Sequence, residues 1–176
     1  MRIALDAMGG DNAPAAPVAG ALEAAQDGFS ILLVGDEAVL HDELKLHGGL
    51  PPNVVVHHAS EVVEMEDAPR TALRGKRDSS LRLAFELVAR DQADAVVTMG
   101  NSGAAMAMGM FVCRRLDGVL RPAIATLVPS HAGGTVLLDV GANVDCRPEH
   151  LLQFGAMGAA LGAAALGIAR PRVGLL

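Results

Sequence analysis

The 176 residues predict an α/β protein: a mostly parallel, mixed sheet with helices on both faces. Three observations carry this. Short runs rich in β-branched residues alternate with helical patterns, as strand–helix–strand units require. Hydrophobic residues make up 51% of the chain and aromatics only 2%, so the core is built from Ala, Val, Leu, Ile and Met, which suit buried parallel strands. One junction breaks the alternation. Residues 129–134 are too few for a helical crossover, so the strands around them pair antiparallel.

In chain order, strands are expected at 2–5, 31–34, 54–57, 95–99, 123–128, 135–140 and 172–176. Helices are expected at 14–26, 37–46, 79–90, 104–115 and 148–168. The length fits one domain with a proper core, and no linker or repeat divides it. Residues 151–169 carry no charge. Their Ala/Gly richness and their place between two strands favour a buried crossover helix over a membrane span. Gly158 and Gly162 lie one turn apart on it and admit a close neighbour. The chain ends within the strand expected at 172–176, as a fragment of a longer product would.

The net charge of −6 excludes a typical nucleic-acid binder, which needs a basic footprint. Cys113 and Cys146 form no CxxC pair, and no signal peptide opens the chain, so a reducing cytoplasm is expected. No His-x-x-x-His pair appears, and no metal is expected. His57 and His58 are adjacent in a strand and point to opposite faces. His41, His47 and His150 fall on helix surfaces, and His131 lies in a loop.

Ligands of open parallel sheets bind beyond the carboxyl ends of strands, where helix N-termini offer free N–H groups to anions. Four loops of this kind stand out. Gly100-Asn101-Ser102-Gly103 follows a strand. Its glycines permit close approach of a phosphate-like group and Ser102 can donate to it, or Asn101 or Ser102 merely caps a helix. It is not a P-loop, a dinucleotide fingerprint or a nucleophile elbow. Gly9-Gly10-Asp11-Asn12 follows Asp6, with Asp11 or Asn12 a natural cap before Pro14. Asp6 is either a ligand to a metal or hydroxyl, or a structural carboxylate bonding loop amides. Asp139, Asn143 and Asp145 lie together after another strand and can orient a nucleophile or hold Mg²⁺, with Cys146 as an alternative acyl acceptor. Arg70, Arg74, Lys76 and Arg77 form either a solvated loop or a docking site for phosphate or an acidic partner, ahead of a cap at 78–80.

Taken together, these blocks resemble one family. Residues 5–14 (LDAMGGDNAP), 58–61 (HASE), 76–80 (KRDSS), 100–104 (GNSGA) and 138–148 (LDVGANVDCRP) are similar, in order and spacing, to the bacterial phosphate acyltransferases of phospholipid synthesis. The resemblance implies a fold like that of isocitrate and isopropylmalate dehydrogenases. It also implies a cofactor-free reaction in which inorganic phosphate attacks the thioester of acyl carrier protein to give acyl phosphate. A cytoplasmic homodimer that meets the membrane surface, or a membrane-bound acyltransferase, is implied as well. On this reading Gly100, Ser102 and Gly103 bind phosphate, and Asn143 or Asn101 polarises the thioester carbonyl. Lys76 and its neighbouring arginines bring charge to phosphate or carrier. Family chains run well beyond residue 176, so the isolated chain is expected to hold only some of the cleft. The alternatives are a transferase using acyl-coenzyme A and a catalytically silent phospho-ligand scaffold. A nicotinamide dehydrogenase lacks its dinucleotide fingerprint here.

Overall fold

In the computed structural model, which describes residues 1–131 and 133–176, the chain forms two compact units, Met1–Arg114 and Arg115–Leu176.

The first unit is a four-stranded parallel sheet ordered β3-β2-β1-β4. Its strands are β1 (Arg2–Asp6), β2 (Ser30–Gly35), β3 (Val54–His58) and β4 (Ala95–Val97). Helices α1 (Ala15–Gln26) and α2 (Glu37–Leu46) make the first two crossovers, and α3 (Pro69–Gly75) and α4 (Ser80–Ala89) the third. Strand alternation sorts the core to two faces. Leu5, Ile31 and Leu33 pack with Val18, Ala21, Leu40 and Leu44. Ala4 and Val34 pack with Ala84 and Leu87. Burying each such leucine stabilises the fold by about 1.5–3 kcal/mol. After β4 comes α5 (Ser102–Met108), which runs into a π-helical turn (Gly109–Cys113) where one helix is expected at 104–115.

Three caps place these helices. Asp36 accepts from the Val39 N–H at 3.0 Å, Ser79 from Arg82 at 3.4 Å and Asn101 from Ala104 at 2.9 Å. The cap expected from Asp11 or Asn12 is absent. Pro14 occupies the N-cap of α1 without a side-chain bond, and Asn12 gives only its backbone carbonyl, to Ala16 N–H. Helix α3 is not foreseen in the sequence reading, which leaves its residues as a basic loop.

The chain runs from β1 to β2 to β3 in one direction, then crosses back so that β4 pairs with the other edge of β1. The carboxyl ends of β1 and β4 therefore flank the topological switch point. There Asp6, 2% exposed, ends β1. Its carboxylate accepts from the Thr98 hydroxyl at 2.8 Å and from the Met8 N–H at 3.3 Å. Thr98 Oγ1 in turn accepts from Gly100 N–H at 3.0 Å. A Cβ on Gly9 would stand 2.5 Å from Asp6 Oδ2 and 3.1 Å from the Gly100 nitrogen. Gly10, at φ +98°, passes so close to Met99 that its Cβ would meet the Met99 carbonyl at 3.0 Å.

The second unit holds an antiparallel hairpin, β5 (Ala125–Ser130) and β6 (Gly133–Leu138), and helix α6 (Pro148–Leu166). The antiparallel pairing expected from the short junction is present, but as a two-stranded sheet of its own. Two further expectations are corrected. Residues 172–176 are not a strand. Helix α6 is not a buried crossover: it packs against β6 and buries only His150, Phe154 and Gly162, with most of its remaining length exposed or half-buried. Gly162 lies against Pro171 and Val136, whereas Gly158 meets nothing. His150 is buried rather than on a surface; its Nδ1 accepts from Arg147 N–H at 3.2 Å.

The loop after β6 closes on Asp139. Its carboxylate accepts from Ile124 N–H at 2.8 Å, from Asn143 N–H at 2.6 Å and from the Asn143 side-chain amide at 3.1 Å. Burial pushes this carboxyl up, but those donors and the Ala142 N–H outweigh burial and hold it below its ordinary value of 3.8. The charged form therefore stabilises the fold above that value, and the contribution is lost as pH falls through the lower folded value.

Two outcomes follow from these contacts. Gly9→Ala lowers the unfolding free energy by about 1–3 kcal/mol in urea titration, because its methyl must displace a buried carboxylate or push the two glycine loops apart. Asp139→Asn lowers the thermal midpoint at neutral pH, and the gap from the parent narrows as the melts are repeated down to about pH 3.

Candidate functional site

The switch point brings together two of the predicted glycine loops, residues 9–12 and 100–103, against one buried carboxylate. What each residue offers a ligand depends on the bonds it already makes. Gly100 donates its N–H to Thr98 and packs its Cα face on Gly9, so it fixes the turn and is not a free donor. Gly103 is small for another reason: a Cβ there would meet Pro69 Cγ at 3.0 Å. Ser102 is exposed, and as the first residue of α5 it and Gly103 carry first-turn amides with no intrahelical acceptor. Across the switch point Gly9 is buried, Gly10 half-buried, and Asp11 and Asn12 are exposed.

Asn101, one of the two oxyanion candidates, is 8% exposed and bonds to the protein through its side-chain amide. Its amide nitrogen donates to the carbonyls of Glu64, Met65 and Asp67 at 2.9–3.1 Å. Asn143, the other oxyanion candidate, lies in the second unit and is also committed, donating to Pro122 O at 3.0 Å and to Asp139. One cost applies to both: an amide that satisfies buried carbonyls or a carboxylate cannot turn to a substrate without leaving them unpaired. Asp145 is exposed, and its backbone carbonyl accepts from Arg121.

The basic cluster divides in the same way. Lys76 donates to Val62 O at 2.6 Å and pairs with Asp67 Oδ2 at 2.5 Å. The hydrogen bond from Lys76 holds the Asp67 carboxyl below the usual range, helped by the Glu64 N–H. Lys76 is thus a structural cation. Arg70, Arg74 and Arg77 are exposed, and among the described residues they form no ion pair. Arg70 and Arg74 stand one turn apart on α3.

The remaining candidates contribute less. Asp6 is a structural carboxylate that bonds a loop amide and a hydroxyl. Burial pushes the Cys113 thiol up, the opposite of activation. Cys146 is exposed. His131 lies in an exposed turn, and His58 Nδ1 accepts from Glu37 N–H. Among the described residues no group of three His, Cys, Asp or Glu is placed to hold a metal ion, and no helix is long and apolar enough to cross a membrane. A depression of about 510 Å³ lies at the other end of the sheet, between the end of α1 and residues 47–53. The carbonyl ends of α1 and α2 converge there, which disfavours an anion.

The sequence reading misses Thr98, Asp67 and helix α3. Pro69 at the first helical position was the available signal for α3. Nothing local marks Thr98, whose partner is 92 residues away.

The whole chain, residues 1–176, matches the family model described as "Fatty acid synthesis protein". It is 56% identical over 177 residues to the phosphate acyltransferase of Trichlorobacter lovleyi and 54% identical over 177 residues to that of Geobacter sulfurreducens. It is 57% identical over 181 residues to the phosphate acyltransferase of Myxococcus xanthus. In each case all of this chain is covered and 51% of the relative. The chain therefore spans about half the length of the curated relatives it matches, aligning with their N-terminal half. The match along its full length means that this chain belongs to the fatty acid synthesis protein family, alongside proteins named phosphate acyltransferase.

Proposed function

We propose that this chain supplies the phosphate-binding portion of an enzyme that forms acyl phosphate from inorganic phosphate and an acyl thioester of acyl carrier protein. The observation that carries the reading is the pair of glycine loops meeting at the β1–β4 switch point, where open α/β sheets bind their ligands. The names of its relatives support the same chemistry.

In the reaction a phosphate oxygen attacks the thioester carbon. The carbon–sulfur bond breaks, the acyl group stays on phosphate, and the carrier leaves as a thiolate. Thiolate is a fair leaving group, so catalysis rests mainly on positioning and on donors aimed at developing charge. The Ser102 hydroxyl and the Ser102 and Gly103 amides hold phosphate, with the residue 9–12 loop as the facing wall. Arg70, Arg74 and Arg77 receive the acidic carrier. A cytoplasmic homodimer, working beside a membrane-bound acyltransferase that uses the acyl phosphate, follows from the family resemblance.

Titration of inorganic phosphate into the chain tests the first assignment. Ser102→Ala weakens binding by about tenfold or more, the cost of one hydrogen bond to a charged group. Unchanged phosphate affinity would place the phosphate elsewhere. Arg70→Glu with Arg74→Glu weakens acyl carrier protein binding at low salt, and the difference shrinks as salt is raised. A panel of acyl carrier protein and coenzyme A thioesters, read as phosphate-dependent thiol release, separates the two acyl donors.

A further inference from the structure

The side chain of Asn101 performs two tasks that a helix cap alone does not require. Its Oδ1 accepts from Ala104 N–H at 2.9 Å, as a cap should. Its Nδ2 lies 3.1, 3.0 and 2.9 Å from the carbonyl oxygens of Glu64, Met65 and Asp67. Ser, Thr or Asp would serve the cap equally well. Among the good caps, only Asn adds an N–H₂ donor to the acceptor.

The three carbonyls belong to the turn that opens α3, the helix carrying Arg70 and Arg74. The far end of the same segment is tied back by Lys76, which bridges the Asp67 carboxylate and Val62 O. Packing follows the hydrogen bonds. Val63 and Ala72 share one buried cluster with Leu81, Ala104 and Met108, and Gly103 leaves room for Pro69. Asn101 is thus the polar pin between the turn after β4 and the arginine-bearing segment.

We propose that Asn101 is a positioning residue that makes α3, with Arg70 and Arg74, one rigid body with the residue 100–103 turn. An acidic partner landing on those arginines is then held in register with that turn. The consequence for partner binding rests on the docking reading above; the rigidity does not.

Asn101→Ser separates the two tasks, because serine keeps the cap acceptor and cannot donate across to residues 64–67. Backbone hydrogen exchange on the 176-residue chain reads the result. The amides of Asp67, Thr71 and Ala72 should exchange at least about tenfold faster in the variant, while those of Ala104 and Ala105 keep their protection. Acyl carrier protein affinity should fall by about tenfold, in line with the loss of buried hydrogen bonds. If Asn101→Ser does not fold, Asn101→Asp replaces it, since it also keeps the acceptor and has no N–H. Equal exchange at residues 67–72 in variant and parent would overturn the assignment. Faster exchange with unchanged carrier affinity would overturn the register claim, provided the Arg70→Glu, Arg74→Glu control weakens binding. If that control has no effect, the docking reading fails on its own, and exchange still decides the role of Asn101.

Discussion

A carboxylate that is 2% exposed holds the centre of the first unit. Asp6 ends β1, one of the two interior strands, and it accepts from the Thr98 hydroxyl just past the end of β4. A buried carboxylate without partners would cost several kcal/mol, so this one is tolerated only where its donors are fixed. The constraint spreads from there. Thr98 also accepts from Gly100, which sets the turn, and Gly9 must lack a side chain to lie against Asp6 and Gly100. The turn places Asn101, and Asn101 places residues 64–67 and the start of α3. The two glycine loops, the arginine-bearing helix and the start of α5 are therefore one chain of contacts leading outward from a single side chain.

That chain of contacts divides the polar residues near the switch point into those that hold the fold and those left for a ligand. Gly100, Asn101 and Lys76 have the chemistry to bind an anion, yet each already donates to the protein. Ser102, Asp11, Asn12 and the three exposed arginines remain open to solvent. The partition has a physical basis. Donors committed to buried carbonyls cannot be recruited without exposing unsatisfied groups. Donors in the first turn of a helix and on exposed side chains carry no such cost. On the phosphate-binding reading proposed above, an anion meets the uncommitted rim while the committed interior keeps that rim in place.

The strand–helix alternation, the antiparallel pair and the two glycine turns at strand ends are legible in the sequence, because periodicity and turn residues are local signals. Helix α2 falls where the pattern places it, at Glu37–Leu46. What stayed hidden depends on contacts distant in sequence. Asn101 reads as a cap or an oxyanion donor until three carbonyls from residues 64–67 are seen to fill its amide. Thr98 reads as one residue of a strand until Asp6 is found beside it. Helix α6 reads as a buried crossover because charge-free Ala/Gly runs usually are buried, but nothing within the run says how much of it packs against other elements. Hydrophobic pattern therefore located most of the elements, though not α3, while burial and hydrogen-bond partners decided their roles.

Electrostatics separates the glycine-rich end of the sheet from the more evident depression. That hollow of about 510 Å³ gathers the C-terminal ends of α1 and α2, with Glu23 in its lining and His47 facing Glu43 at 3.4 Å. Helix C-termini carry partial negative charge, so a phosphate there would meet carbonyls and carboxylates in a chain whose net charge is already −6. At the opposite end the first turns of the helices present amides, and Asn101 bonds the segment that leads into α3, the helix carrying two of the exposed arginines. An anion approaching this unit thus finds one end that repels it and one that offers uncommitted donors. The second is where the order of the strands reverses, so fold topology and charge select the same loops independently.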